Sequence, residues 1–173
     1  MSVIKYPPNM NKNDCVILFD GVCKLCNHWS QFIIKVDKQQ RFKLCSVQSP
    51  EGQSILKYFD MPTDHFDTML YVEGNTLEAN CMEVNSAEVN SADINKLKAS
   101  QCFEKSDAFL NVVRKLSYPW RLLYLFKIVP KRLRNWLYDR VALNRYTLFG
   151  QYDTCMLPTK ENEARFLKAK TDK

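Results

Sequence analysis

A chain of 173 residues has the size of one ordinary domain and is long enough to bury a core. Its 46% apolar and 25% charged residues, with only 4 glycines and 7 prolines, are those of a soluble globular protein and exclude a disordered one. The net charge of +6 is concentrated: residues 112–149 hold nine cations against Asp139 as their one anion, so the remainder is slightly acidic.

Residues 1–13 are polar and rich in Asn and Pro, which predicts a flexible arm, and they contain no apolar leader run. Cys15-Val16-Ile17-Leu18-Phe19 is a continuous run of strand formers, expected as a buried central strand that Asp20-Gly21 ends. The period then changes. Trp29, Phe32, Ile33 and Val36 recur as the buried stripe of a helix over residues 24–38. Residues 42–47 alternate as a second strand, and Ser49-Pro50-Glu51 starts a helix running to about Phe59. Residues 68–72 read as a third strand, Glu73-Gly74-Asn75 as a turn, and residues 76–78 as the start of a hairpin return. The pentapeptide EVNSA occurs at 83–87 and again at 88–92. Such a short polar duplication predicts an expanded, protruding loop over about 80–101, with a short helix at 91–98, rather than a solenoid. Ser106 is expected to cap a helix carrying Phe109, Leu110, Val112, Val113 and Leu116.

Strands joined through a helix are parallel with a right-handed crossover, and strands joined by a tight turn are antiparallel. The predicted order therefore gives an α/β fold: a thioredoxin-like four-stranded mixed sheet flanked by helices over residues 14–117. Residues 118–158 predict a helical extension packed on it, with one segment from Tyr118-Pro119-Trp120 to Pro130 and a second over 131–144. Residues 159–173 read as a charged, fraying tail. The stretch 120–130 is too short and too interrupted by Arg121 and Lys127 to span a bilayer, so a cytoplasmic protein is expected.

Seven cysteines, an odd number, do not form a disulfide framework in that compartment. Cys15, Cys45, Cys81 and Cys102 read as small buried apolar residues. Cys23-Lys24-Leu25-Cys26 differs by its position, directly after a buried strand and at the start of a helix. Unpaired N–H groups and the positive end of the dipole at a helix N-terminus stabilise a thiolate. The Cys23 thiol is thus expected below its free value, as nucleophile, with Cys26 one turn on as the resolving thiol. A metal site lacks a second C-x-x-C to complete it, and a structural pair is the remaining alternative. Asp20 either caps the strand-to-helix turn or moves a proton to and from Cys26.

Asp20-Gly21-Val22-Cys23-Lys24-Leu25-Cys26 resembles the D-G-x-C-x-x-C signature of the DCC family of thiol–disulfide oxidoreductases with a thioredoxin-like fold. The resemblance extends to Val47-Gln48-Ser49 with Gly52, to Lys105-Ser106-Asp107-Ala108, and to Asn144-Arg145-Tyr146, Phe149-Gly150, Cys155 and Pro158. It covers residues 15–158 apart from the loop and implies a redox function with no cofactor. Its partners would be a protein or small-molecule disulfide or thiol substrate and an electron donor. One departure concerns the cis-proline that precedes the third strand of thioredoxins and faces the cysteines. Asp67 occupies that position. A cis non-proline bond costs roughly 3 kcal/mol, so a trans bond is expected, with Asp67 or Thr68 facing the cysteines. A carboxylate there opposes thiol ionisation. Cys155 reads as a third redox thiol or a packing residue. Arg140 and Arg145 are expected to pair with Asp139 or Asp153, or to bind an anion near the active site.

The basic helices remain. Their cations alternate with Tyr118, Trp120, Tyr124 and Trp136, a pattern of solvated helix faces or of docking to a partner or an anionic membrane; nucleic acid is not expected. The alternative to the enzyme is therefore a non-catalytic thioredoxin-like module that docks through these helices.

Overall fold

A computed structural model describes residues 6–11, 13–64, 68–74, 101–153 and 161–168. Its elements are strand β1 (Cys15–Phe19), helix α1 (Lys24–Val36), strand β2 (Phe42–Ser46), helix α2 (Pro50–Tyr58), and strands β3 (Leu70–Glu73) and β4 (Gln101–Glu104). Helix α3 (Lys105–Lys115), a 3-10 segment (Trp120–Ile128), helix α4 (Lys131–Phe149) and a short 3-10 turn (Glu163–Arg165) follow.

The strands form one sheet in the order β2-β1-β3-β4. β1 runs parallel to β2, pairing Ile17 with Leu44, and antiparallel to β3, pairing Ile17 with Tyr71. β3 and β4 are antiparallel, with Val72 opposite Cys102. This is the mixed, helix-flanked, thioredoxin-like sheet that the alternation of elements predicts. The return strand expected at 76–78, the expanded loop and its short helix at 91–98 lie outside the described residues. The described strand beside β3, on the side away from β1, is Gln101–Glu104, too short and too polar to stand out in sequence. Its Phe103 ring stacks on Tyr71 at 5.9 Å.

Alternation along each strand builds two cores. Ile17, Phe19, Leu44 and Tyr71 face α1 and α3, where Ile33, Leu110 and Val113 meet them. Val16, Leu18, Cys45 and Val72 face α2, which contributes Ile55 and Leu56. Of the predicted stripe on α1 only Ile33 is fully buried; Trp29 and Phe32 form a half-buried aromatic cluster with Phe109 and Trp120. α2 begins as predicted, the Ser49 hydroxyl accepting the Gly52 N–H at 3.1 Å with Pro50 at the first helical position.

Four expectations need correction. Ser106 is not the cap of α3: the helix starts a residue earlier, and the Ser106 hydroxyl instead donates to Asn135 of α4. α4 continues past Asn144 to Phe149, because nothing stops it before Gly150, whose φ of 81° breaks the helix. Of the N-terminal arm, the described residues 6–11 are anchored, since Met10 is buried in the α2-side core. The described part of the charged tail, residues 161–168, is anchored too. Leu167 is buried there, its N–H donates to the Leu44 carbonyl at 2.8 Å, and buried Arg165 pairs with Asp37 at 2.7 Å. These contacts cover the free edge of β2.

Candidate active site

Two stretches far apart in sequence, the junction of β1 with α1 and the end of α4, meet at the start of α1. β1 delivers Asp20 and the turn, α1 delivers Cys23 and Cys26, and the end of α4 folds over both. Cys23 is the N-cap of α1. Its sulfur, rather than the usual Ser, Asp or Asn oxygen, accepts the Cys26 backbone N–H at 3.3 Å. Cys23 is fully buried, whereas Cys26 is partly exposed.

Gly150 explains the cover over Cys23. By ending α4 with a positive φ it turns the chain so that residues 150–152 run across the cysteine turn. The Gly150 carbonyl accepts the Lys24 N–H at 3.3 Å, Gln151 bridges to Cys23, and the Tyr152 N–H donates to the Val22 carbonyl at 2.8 Å.

Asp20 lies beneath this turn, 4% exposed. Its Oδ1 accepts the Val22 N–H at 3.1 Å and the Gln48 amide at 2.7 Å. Its Oδ2 accepts from Arg145 at 3.2 Å and from the Tyr146 hydroxyl. Burial pushes the carboxyl up, but these four donors outweigh it and hold Asp20 below the usual carboxylate range. Tyr146 is pushed up to about 12 by burial and by its bond to Asp20, so it remains a donor. Asp20 thus caps the turn and keeps its charge.

The two thiols are driven apart. A hydrogen bond from the Cys26 thiol, helped by the Cys26 N–H and by Arg145, lowers Cys23 from 9.0 to about 6 against burial and the charge of Asp20. Cys26 moves the other way, because it donates to Cys23, is buried, and feels both the Cys23 thiolate and Asp20. Cys23 is thus the more acidic of the two thiols, and Cys26 holds its proton. A cavity of about 80 Å³ opens on the Cys26 side, lined by Asp20, Cys26, Thr68, Tyr138, Val141 and Arg145.

Of the residues singled out from sequence, the structure gathers Asp20, Cys23, Cys26, Thr68 and Arg145 in one place. Thr68 borders the cavity; its hydroxyl accepts the Lys105 N–H at 3.2 Å and meets Tyr138. Asp67 and Cys155 lie outside the described residues. Arg145 does not pair with Asp139 or Asp153: it is buried against Asp20, Asp139 binds Lys105 at 2.8 Å, and Arg140 lies over the Trp136 ring. Cys45 is buried and pushed up to about 11 by that burial, as an inert packing thiol should be, whereas Cys15 and Cys102 are only partly buried and Cys81 is outside the described residues. Sequence reasoning gave no role to Gln48, Tyr138 or Tyr146. Gln48 and Tyr146 stand inside motifs that resemble the family, which was the available signal. Among the described residues no three His, Cys, Asp or Glu side chains converge as a metal site.

The sequence model of the DCC1-like thiol-disulfide oxidoreductase family matches residues 17–151, from the middle of β1 to the segment over Cys23. The uncharacterized protein YuxK of Bacillus subtilis is 40% identical over 152 residues, covering 88% of this chain and 93% of that protein. A chloroplastic DCC family protein of Arabidopsis thaliana is 27% identical over 143 residues, covering 82% of this chain and 69% of its own. No solved structure matches. The cysteine pair, the Asp20 turn and the α4 end that closes on them all fall within the matched span, and the chain belongs to the DCC1-like thiol–disulfide oxidoreductase family.

Proposed function

We propose that the protein exchanges or reduces disulfides with the Cys23–Cys26 dithiol. The observation that carries this reading is Cys23 as the sulfur cap of α1, a position in which the thiolate replaces an oxygen as acceptor for the helix N-terminus. The Cys23 thiolate attacks one sulfur of a substrate disulfide, forming a mixed disulfide and expelling a thiolate that takes up a proton. Cys26 then loses its proton and attacks the Cys23 sulfur, which closes the Cys23–Cys26 disulfide and frees the second substrate thiol. The substrate is reduced by two electrons and the dithiol oxidised by two, so an external thiol donor must restore it. Asp20, ionised and lining the same cavity as Cys26, is the group proposed to accept the Cys26 proton. The segment 150–152 covers Cys23 and must yield for attack on a protein disulfide; a small-molecule disulfide needs less movement. The complement of seven cysteines fits a reducing, cytoplasmic setting.

Mass spectrometry after mild oxidation tests the pair. The expected product is a Cys23–Cys26 disulfide, and Cys26→Ser should accumulate the mixed disulfide on Cys23. Both cysteines remaining free while other thiols react would refute the assignment, as would undiminished insulin reduction by Cys23→Ser.

A further inference from the structure

α4 turns Ala142, Arg145 and the half-buried Tyr138 toward the body of the protein. Its opposite side carries Leu133, Trp136, Leu137, Arg140 and Leu143 at helical spacing, all open to solvent. The preceding 3-10 segment has no buried residue at all, yet Leu125, Phe126 and Ile128 on it are 63%, 59% and 83% exposed. Both elements rest on α3 and are joined through Val129 and Pro130. A stretch this apolar and this open exceeds what an isolated exposed side chain explains.

Charge decides what fits it. Arg121, Lys127, Arg132 and Arg140 stand exposed among the apolar residues. The only carboxylate on either element, Asp139, is neutralised by Lys105. A second copy would set cation against cation. A nucleic acid would satisfy the arginines but leave the leucines in water. An anionic bilayer surface takes both, with aliphatic chains entering the headgroup–acyl boundary, Trp120 and Trp136 at the interface, and cations on the phosphates. No helix among the described residues is long and apolar enough to cross a membrane, so the contact would be made along the surface.

We propose that the exposed face of the 3-10 segment and α4 is a peripheral docking surface for anionic phospholipid membranes. The proposal is independent of the redox chemistry. It does bear on it: Val141 borders this face and also the cavity beside Cys26, so docking holds the dithiol close to the bilayer.

The full chain is sedimented with phosphatidylcholine vesicles, with and without phosphatidylglycerol, at low and high salt. Binding is expected only with the anionic lipid and should weaken with salt. Each surface cation contributes about fivefold in affinity, so R121Q/R132Q/R140Q should bind about a hundredfold more weakly. L125D/I128D should lose binding with its far-ultraviolet spectrum and melting transition unchanged. Tryptophan emission should shift to the blue on vesicles and fail to do so in W120F/W136F. Failure to bind anionic vesicles at low salt overturns the proposal, as does equal binding to neutral lipid or indifference to either multiple variant. A dimer abolished by L125D/I128D would assign the face to a second copy. Retention on immobilised polyglutamate without vesicle binding would assign it to an acidic protein.

Discussion

The Asp20 carboxylate is the residue on which the site turns. It is buried, it keeps its charge because four donors surround it, and that charge raises both thiols. Removing the charge while keeping the shape separates its two effects. Asp20→Asn should make Cys23 more acidic than about 6, since the negative charge that opposes its ionisation is lost. Under the proposed mechanism it should also slow resolution by Cys26, whose proton Asp20 would accept. Thiolate absorbance against pH reads the first effect and lifetime of the mixed disulfide reads the second. An unchanged or raised Cys23 titration in a folded Asp20→Asn protein would show that Asp20 does not act on the thiol through its charge. The substitution also leaves Arg145 without its carboxylate, and buried pairs broken on one side cost about 3–5 kcal/mol. Stability must therefore be measured alongside.

At the level of elements, the close approach of α2 to the end of β2 depends on a missing side chain. A Cβ at Gly52 would sit 2.1 Å from the Ser46 carbonyl oxygen, a backbone atom that cannot swing away. Gly52→Ala should cost roughly 1–3 kcal/mol by forcing the helix off the strand. Urea unfolding should show a lower midpoint at unchanged slope, and a midpoint equal to the parent's would mean that α2 moves freely. Gly52 belongs to a motif that was readable in sequence, but its reason was not, because the oxygen it avoids comes from the neighbouring strand. The same division runs through the molecule. β1, α1 and the cysteine pair were legible because burial of Val16 to Phe19 and the turn at Asp20-Gly21 are local patterns. β4 was not, since its Cys102 and Phe103 gain their place only from β3 and Tyr71. Nor was the Asp20 cluster, whose arginine and tyrosine lie 125 and 126 residues away. The tail's composition is charged throughout, and only the presence of Asp37 and the open β2 edge turns Arg165 and Leu167 into anchors.

On the scale of the whole molecule, the C-terminal third closes on the sheet at both ends, α4 and residues 150–152 over the cysteines and the tail along β2. The thiolate at Cys23 is therefore part of the folded architecture, and its ionisation is coupled to unfolding. Cys23 titrates near 6 when folded against 9.0 as an ordinary thiol. Between these values the unfolded chain binds one more proton at this site than the folded chain, so stability rises with pH there. The slope approaches about 1.4 kcal/mol per pH unit. The gain is fully present above the unfolded value and is lost as pH falls through about 6. Cys26 has the opposite sign. Held protonated in the fold, it contributes stability below the unfolded thiol value and loses it as pH rises past that value. The reduced protein should consequently be most stable near pH 9, after subtraction of the curve for Cys23→Ala/Cys26→Ala, which removes every other titrating group from the difference. Oxidation to the disulfide removes both titrations and should abolish the pH dependence of that difference. A difference curve for the reduced protein that is flat from pH 6 to 9 would mean that Cys23 is not a thiolate in the fold, and the nucleophile would then have to be sought at the partly exposed Cys26.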